Sequence, residues 1–200
     1  MARSTRESIL TAAAELMRHK GYGAVGMKDI ATASGAPIGS LYHHFRGGKV
    51  QIAREALINA GHAYALLIPS IVDEYTDLGD AIDGVFTQAA EDTAGTGFAN
   101  MCPVASVAVE VADTVEELRE TSATVFQGWV DGGSAYFASR GLEASQAREV
   151  TLAMIGALEG AFVLARTLRS TEPLLAAGRA LAPRYRGVTM TSRLTTSASG

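Results

Sequence analysis

Cysteine is nearly missing from this 200-residue sequence. Cys102 is the one thiol, which excludes an internal disulfide and suits a reducing cytoplasm. Aromatic residues make up only 6%, so the core must come largely from the aliphatic side chains within the 48% hydrophobic content. No unbroken run of about 18 apolar residues occurs, and no membrane span is expected. The opening Met-Ala-Arg-Ser-Thr-Arg-Glu has no secretion-signal core behind it. No Walker loop, Gly-x-Ser-x-Gly or His-Glu-x-x-His is present. His43 and His44 are adjacent and so point about 100° apart on a helix, a poor metal pair. His19 and His62 have no cysteine or carboxylate cluster beside them. No metal, cofactor or catalytic constellation is expected.

Lysine is also scarce, and its placement is informative. All three lysines, Lys20, Lys28 and Lys49, lie in the first sixty positions. That segment holds eight basic and four acidic residues, a net +4, whereas the remaining 140 hold nine basic and seventeen acidic, a net −8. The overall charge of −4 therefore hides a basic head on an acidic body, the asymmetry expected of a nucleic-acid-binding head.

Residues 27–45 organise that head. They read as two short helices hinged at Gly35, which can take the positive φ of a sharp turn. The first, about Met27 to Ser34, turns Ile30 and Ala31 inward. The second starts near Pro37, a residue tolerated in a first helical turn. Leu41 and Phe45 share one face and anchor it. The opposite face carries Gly39, Ser40 and His43, with Tyr42 at its edge, small or hydrogen-bonding residues suited to a DNA groove. This is a helix-turn-helix pattern with the second helix as reader. A helical hairpin with a solvated outer face would have the same pattern.

The run Gly-Tyr-Gly-Ala-Val-Gly-Met-Lys-Asp-Ile-Ala, then Ser-Gly-Ala-Pro-Ile-Gly-Ser-Leu-Tyr-His-His-Phe and Gly-Gly-Lys, resembles the N-terminal domain of TetR-type transcriptional repressors over residues 6–55. The resemblance implies DNA contacts from Lys28, Pro37, Ile38, Gly39, Ser40, Tyr42, His43 and Lys49. Lys49 and the amides at the start of a fourth helix would grip a phosphate. Two positions depart from the family. Gly26-Met27 stands where relatives have a capping Ser or Thr, and Ile38 where many carry a basic residue. Ile38 is placed either in the core or against a thymine methyl.

Down the chain, an amphipathic helix over 4–20 carries Ile9, Leu10, Ala13, Leu16 and Met17, with Ser4 or Thr5 as cap. Arg3 and Arg6 at its start could touch phosphates or simply be solvated. A linking helix is expected over 49–68, and another over 78–92. Ala94-Gly95-Thr96-Gly97 reads as a loop, and Pro103 opens a further helix. The Cys-Pro-Val element at 102–104 resembles the LmrA/YxaF branch of TetR-type multidrug-resistance repressors. Thr114 with Glu117 gives a capping-box pattern for the next helix, in which Gly128, Gly132 and Gly133 mark a kink or a close approach by a helix or ligand. Two late apolar helices, 144–168 and from Thr171 to Pro183, carry small residues such as Gly156 and Gly160. They suit a four-helix homodimer interface over 144–182, or packing within one chain. Residues 187–200 read as a disordered tail.

The expected fold is all-α, about nine helices, with a three-helix helix-turn-helix domain over 1–48 and a ligand-binding and dimerisation domain over 49–186. Phe86, Phe98, Met101, Cys102, Phe126, Trp129 and Phe162 could line an apolar pocket, or could be plain core. Glu110, Asp131 and Glu159 are its charged candidates, with a solvated face as the other reading of each. Cys102 is a redox sensor or a small buried hydrophobe. The expected function is a cytoplasmic homodimeric repressor that binds near-palindromic double-stranded DNA and releases it when a small apolar or amphipathic molecule binds the body. An activator, or an all-α binding protein or enzyme without a DNA role, is the alternative.

Overall fold

The first helix is fixed at its start by a reciprocal cap. Ser4 Oγ accepts from the Glu7 N–H, and the Glu7 carboxylate accepts from the Ser4 N–H at 2.9 Å. This α1 (Thr5–Lys20) buries Ile9, Leu10, Ala13 and Met17. The computed structural model describes residues 4–99 and 101–191, so Arg3 and the 192–200 part of the expected tail lie outside the described residues.

α2 (Met27–Ser34) begins at Gly26, where no hydroxyl is available. Asp29 instead accepts from the Gly26 N–H at 2.7 Å, half of a capping box. Gly35 takes φ +69° and turns the chain into α3 (Ile38–His44). Leu41, Phe45 and Ile30 are fully buried with Ile9 and Met17 in one cluster.

α4 (Gly48–Val72) runs four residues past the expected end, through Pro69. The proline removes one donor to the preceding turn, but Asp73 N–H bonds the Pro69 carbonyl at 2.9 Å and Val72 is buried in the body, so the helix continues. α5 (Leu78–Gly95) is capped by Asp77 and absorbs Ala94-Gly95 of the expected loop. α6 (Pro103–Val111) has Pro103 in its first turn and the Cys102 sulfur as cap, accepting from Ala105 N–H at 3.4 Å. α7 (Glu116–Ser139) corrects the Thr114 expectation. Its N-cap is Val115 without a side-chain cap, because the Thr114 N–H is already tied back to Val111 in the turn out of α6. α8 (Ala144–Leu168) has the expected limits, and α9 (Glu172–Leu181) runs into a 3-10 turn, Ala182–Tyr185.

Among the described residues the fold is all-α: nine α-helices, that 3-10 turn and one isolated antiparallel bridge between Asp77 and Thr189. Two apolar clusters hold it. The first joins α1, α2, α3 and the start of α4 to Cys102, Val104, Val107 and Val111 around α6, and to Leu118 of α7. The second packs α5, the end of α7, α8 and α9, with Phe86, Phe137, Met154 and Leu174 inside. The head is thus cored partly by body residues. α4 and α8 are each 25 residues long, long and apolar enough by composition to cross a membrane despite the lack of an unbroken apolar run. Here both pack along α7.

Gly133 explains part of the glycine cluster in α7. A Cβ there would lie 2.6 Å from Thr151 of α8, so the two helices approach closely at this point. Gly128 and Gly132 face open space.

The expected tail is corrected over 187–191. Leu78 N–H bonds Val188 O at 3.0 Å, Met190 N–H bonds Thr76 O at 2.8 Å, and Met190 is buried in the second cluster. Arg140 secures the same strip, donating to Thr191 O and to Asp73, whose carboxylate also accepts from Tyr136 Oη at 2.6 Å. Composition suggested disorder, but backbone pairing and one buried methionine fix the segment.

Candidate DNA-reading helix and body cavity

α3 presents to solvent the face expected to read DNA. Ile38 is 41% and Tyr42 56% exposed, and Pro37, Gly39, His43 and Lys28 are exposed as well. Ser40 is half-buried. Ile38 therefore stands outside the core, which leaves its exposed methyls free for an apolar surface. Lys49 is held more tightly. Its Nζ lies 4.0 Å from the Tyr22 ring centroid, and burial draws the ammonium pKa below its ordinary value while Glu110 and Asp29 act the other way. No acidic residue stands in the first turn of α4, whose positive end Lys49 extends.

Gly21-Tyr22-Gly23-Ala24-Val25-Gly26 has the spacing of a dinucleotide-binding loop, but it joins two helices. Its amides are engaged. Glu110 of α6 accepts from Tyr22 N–H at 2.6 Å and from Gly23 N–H at 2.5 Å. Just before this loop, Arg166 of α8 donates to the Arg18 and His19 carbonyls at 3.0 and 2.6 Å, filling orphan acceptors at the end of α1. Ser106 reaches the Met17 carbonyl at 3.4 Å. Three body side chains therefore grip the last turn of α1 and the bend that follows.

A cavity of about 310 Å³ lies between α4, α5, α7 and α8. Tyr64, Trp129, Tyr136, Phe137 and Phe162 form its aromatic walls, with Met154 and Leu158 between them. The open faces of Gly128 and Gly132 border it. Trp129 is oriented by donating Nε1–H to Gly61 O at 2.8 Å. Tyr64 faces the cavity while its hydroxyl takes a hydrogen bond from Arg18 of α1, and burial pushes its pKa up to about 12. Glu159 also lines the wall, and burial pushes its carboxyl up to about 7.

Of the seven residues expected around a pocket, Trp129 and Phe162 line this one. Phe126 stands behind Trp129, edge-on at 5.3 Å. Phe86 is buried in the second cluster, closely opposed to Gly178 of α9. Phe98 takes φ +63° in the loop after α5, and Met101 contacts Arg166. Cys102 is buried with the head core, and burial raises its thiol pKa well above the ordinary value, which makes it a weak nucleophile. Sequence reasoning missed Tyr64, Tyr136, Phe137 and Met154. The spacing Gly61, Tyr64, Ile68 on α4 was the available signal for the first. The three charged candidates separate clearly: Glu110 clamps the head, Asp131 sits exposed beside Gln127 and Arg148, and Glu159 lines the cavity.

Comparison with known proteins agrees with both halves. Residues 9–56 match the model of bacterial regulatory proteins of the tetR family, and residues 79–180 match the C-terminal domain of LmrA/YxaF-like transcriptional regulators. The HTH-type transcriptional regulator LmrA of Bacillus subtilis is 31% identical over 171 residues, covering 86% of this chain and 91% of its own. YxaF of the same organism, an uncharacterised HTH-type regulator, is 33% identical, covering 86% and 90%. A TetR transcriptional regulator from Legionella pneumophila superposes with a TM-score of 0.77 at 20% identity, covering 92% and 98%. One from Chloroflexus aurantiacus gives 0.72 at 26%, covering 94% and 96%. With its helix-turn-helix head and a C-terminal domain of the LmrA/YxaF kind, the chain belongs to the TetR family of transcriptional regulators.

Proposed function

We propose that the protein is a homodimeric repressor whose operator is released when a small apolar or amphipathic molecule enters the cavity between α4, α5, α7 and α8. It acts in the cytoplasm, with residues 1–48 as the DNA-binding domain and 49–186 as the ligand-binding and dimerisation domain. The observation that carries this reading is the direct bonding of cavity-wall elements to α1: Tyr64 of α4 to Arg18, and Arg166 of α8 to the Arg18 and His19 carbonyls. A ligand that displaces α4 or α8 must shift or break these bonds.

Each subunit places Pro37, Ile38, Gly39, Ser40, Tyr42 and His43 at the major groove, with Ile38 against a thymine methyl. Lys28 and Lys49 meet phosphates. Two readers about 34–36 Å apart, or a multiple of that, match a near-palindrome. α8 supports the dimer. Leu152, Val163, Leu164 and Leu168 are exposed on it, and Gly156 and Gly160 have open space above them. These would pack with α9 against the same helices of a second copy. Ligand binding then favours a dimer whose heads no longer fit both half-sites, which requires unequal affinity for the two states.

The test is a gel-shift titration with duplexes selected from a random pool. Specific, steeply salt-dependent binding by a dimer supports the reading. A protein that selects no sequence at low salt, or that turns over a bound small molecule, contradicts it.

A further inference from the structure

The charged groups on the cavity wall all have one sign. Among the described residues that line it, the charged side chains are Asp92 and Glu159; no lysine, arginine or histidine lines it, and Arg18 reaches the hydroxyl of Tyr64 from α1. Asp92 is exposed at one edge and already accepts from Gln88 Nε2 at 3.0 Å. Glu159 is different. Its carboxylate takes the Cys102 thiol as a donor, and its Oε2, closed to solvent, has no hydrogen-bond partner among the described residues, so a ligand reaches that oxygen when the carboxylate turns toward the cavity. A buried carboxylate oxygen left unmatched is costly unless a donor or a cation completes it. The same cavity is lined by the rings of Trp129, Tyr64 and Phe162, and aromatic faces attract cations. The space is otherwise apolar, so the complement is a molecule with an aromatic or alicyclic body and one protonated nitrogen.

We propose that the cavity selects organic cations, amphipathic amines whose ammonium group pairs with Glu159 while the apolar body packs on Trp129 and Phe162. This rests on the reading of the cavity as the effector site. It narrows the ligand class from apolar molecules in general to those carrying positive charge, and it disfavours carboxylic acids, which would meet Glu159 with like charge.

Three probes of nearly equal shape test it on the unmodified protein at pH 8: 1-naphthylmethylamine, 1-naphthylmethanol and 1-naphthoic acid. Trp129 is the single tryptophan and lines the cavity, so its fluorescence reports occupancy, with calorimetry as a second readout. The amine should bind roughly tenfold or more tighter than the alcohol, and the acid weakest. In Glu159→Gln the amine and alcohol should come within about threefold of each other, while Asp92→Asn keeps the preference. An amine no tighter than the alcohol in the unmodified protein overturns the proposal and leaves the cavity reading standing, as does a preference that persists in Glu159→Gln or moves to Asp92. If none of the three changes the Trp129 signal or gives heat, both the proposal and the cavity reading fail. The comparison within the unmodified protein needs no variant to fold.

Discussion

Arg166 and His19 join the body to the head through one bond: the Arg166 Nη2 group donates to the His19 carbonyl at 2.6 Å, 147 positions away in sequence. The same guanidinium reaches the Arg18 carbonyl at 3.0 Å. Arg166 lies one helical turn beyond Phe162, which lines the cavity. Arg166→Met keeps the stem and removes the donors. It should cost about 1–2 kcal/mol of stability. Ligand occupancy measured at Trp129 should persist, but its effect on operator affinity should fall. A variant that is less stable yet releases DNA at the same ligand concentration would show Arg166 to be merely structural.

Glu159 gives the protein a pH signature. Its neighbours are the Cys102 thiol, which donates to it, and Tyr64 on α4, whose hydroxyl is bonded to Arg18. Burial raises the folded carboxyl from an ordinary 4.5 to about 7. The folded state thus holds a proton that the unfolded state has lost, so stability falls as pH rises from about 4.5 to 7 and stays reduced above. Glu159→Gln removes this loss. Relative to the unmodified protein it should match near pH 4 and gain up to about 3 kcal/mol at pH 8. Urea denaturation at the two pH values measures it, and parallel pH profiles would refute the assignment.

On the reading head, Tyr42→Ala should weaken a selected operator by roughly tenfold or more and relax sequence preference. Lys49→Ala should weaken all duplexes similarly and lower the slope of log affinity against log salt by about 1. Gel-shift titrations across salt concentrations separate the two effects. Unchanged binding in both variants would remove these residues from the interface.

The exposed α8 face predicts an assembly defect. Leu164 is 53% exposed in the single chain, beside the open faces of Gly156 and Gly160. Leu164→Glu should convert the dimer to a folded monomer in sedimentation velocity, with loss of tight operator binding. A dimer that persists would place the interface elsewhere.

The helix-turn-helix was legible because it is local. Gly35, Pro37 and the Leu41–Phe45 pair set the turn and its buried face within a few residues. The limits of α8 were legible for the same reason. The cavity was not, because its walls come from four helices whose relative rotation no single stretch encodes. Phe86 and Trp129 look alike in sequence, yet one packs toward α9 and the other toward open space. Glu110 and Glu159 both sit on apolar helices. Only the fold brings the first to the Tyr22 and Gly23 amides and the second into the cavity. The strip at 187–191 was hidden because its order comes from backbone pairing with Thr76 and Leu78, over a hundred residues away.

Cavity occupancy and operator binding should be coupled. A single titration of the unmodified protein on a labelled, selected operator with 1-naphthylmethylamine, reading Trp129 fluorescence and DNA anisotropy together, measures this. DNA should be released over the range in which Trp129 responds, and operator DNA should weaken amine binding by the same factor as the amine weakens DNA binding. A full Trp129 response with unchanged operator affinity would contradict it.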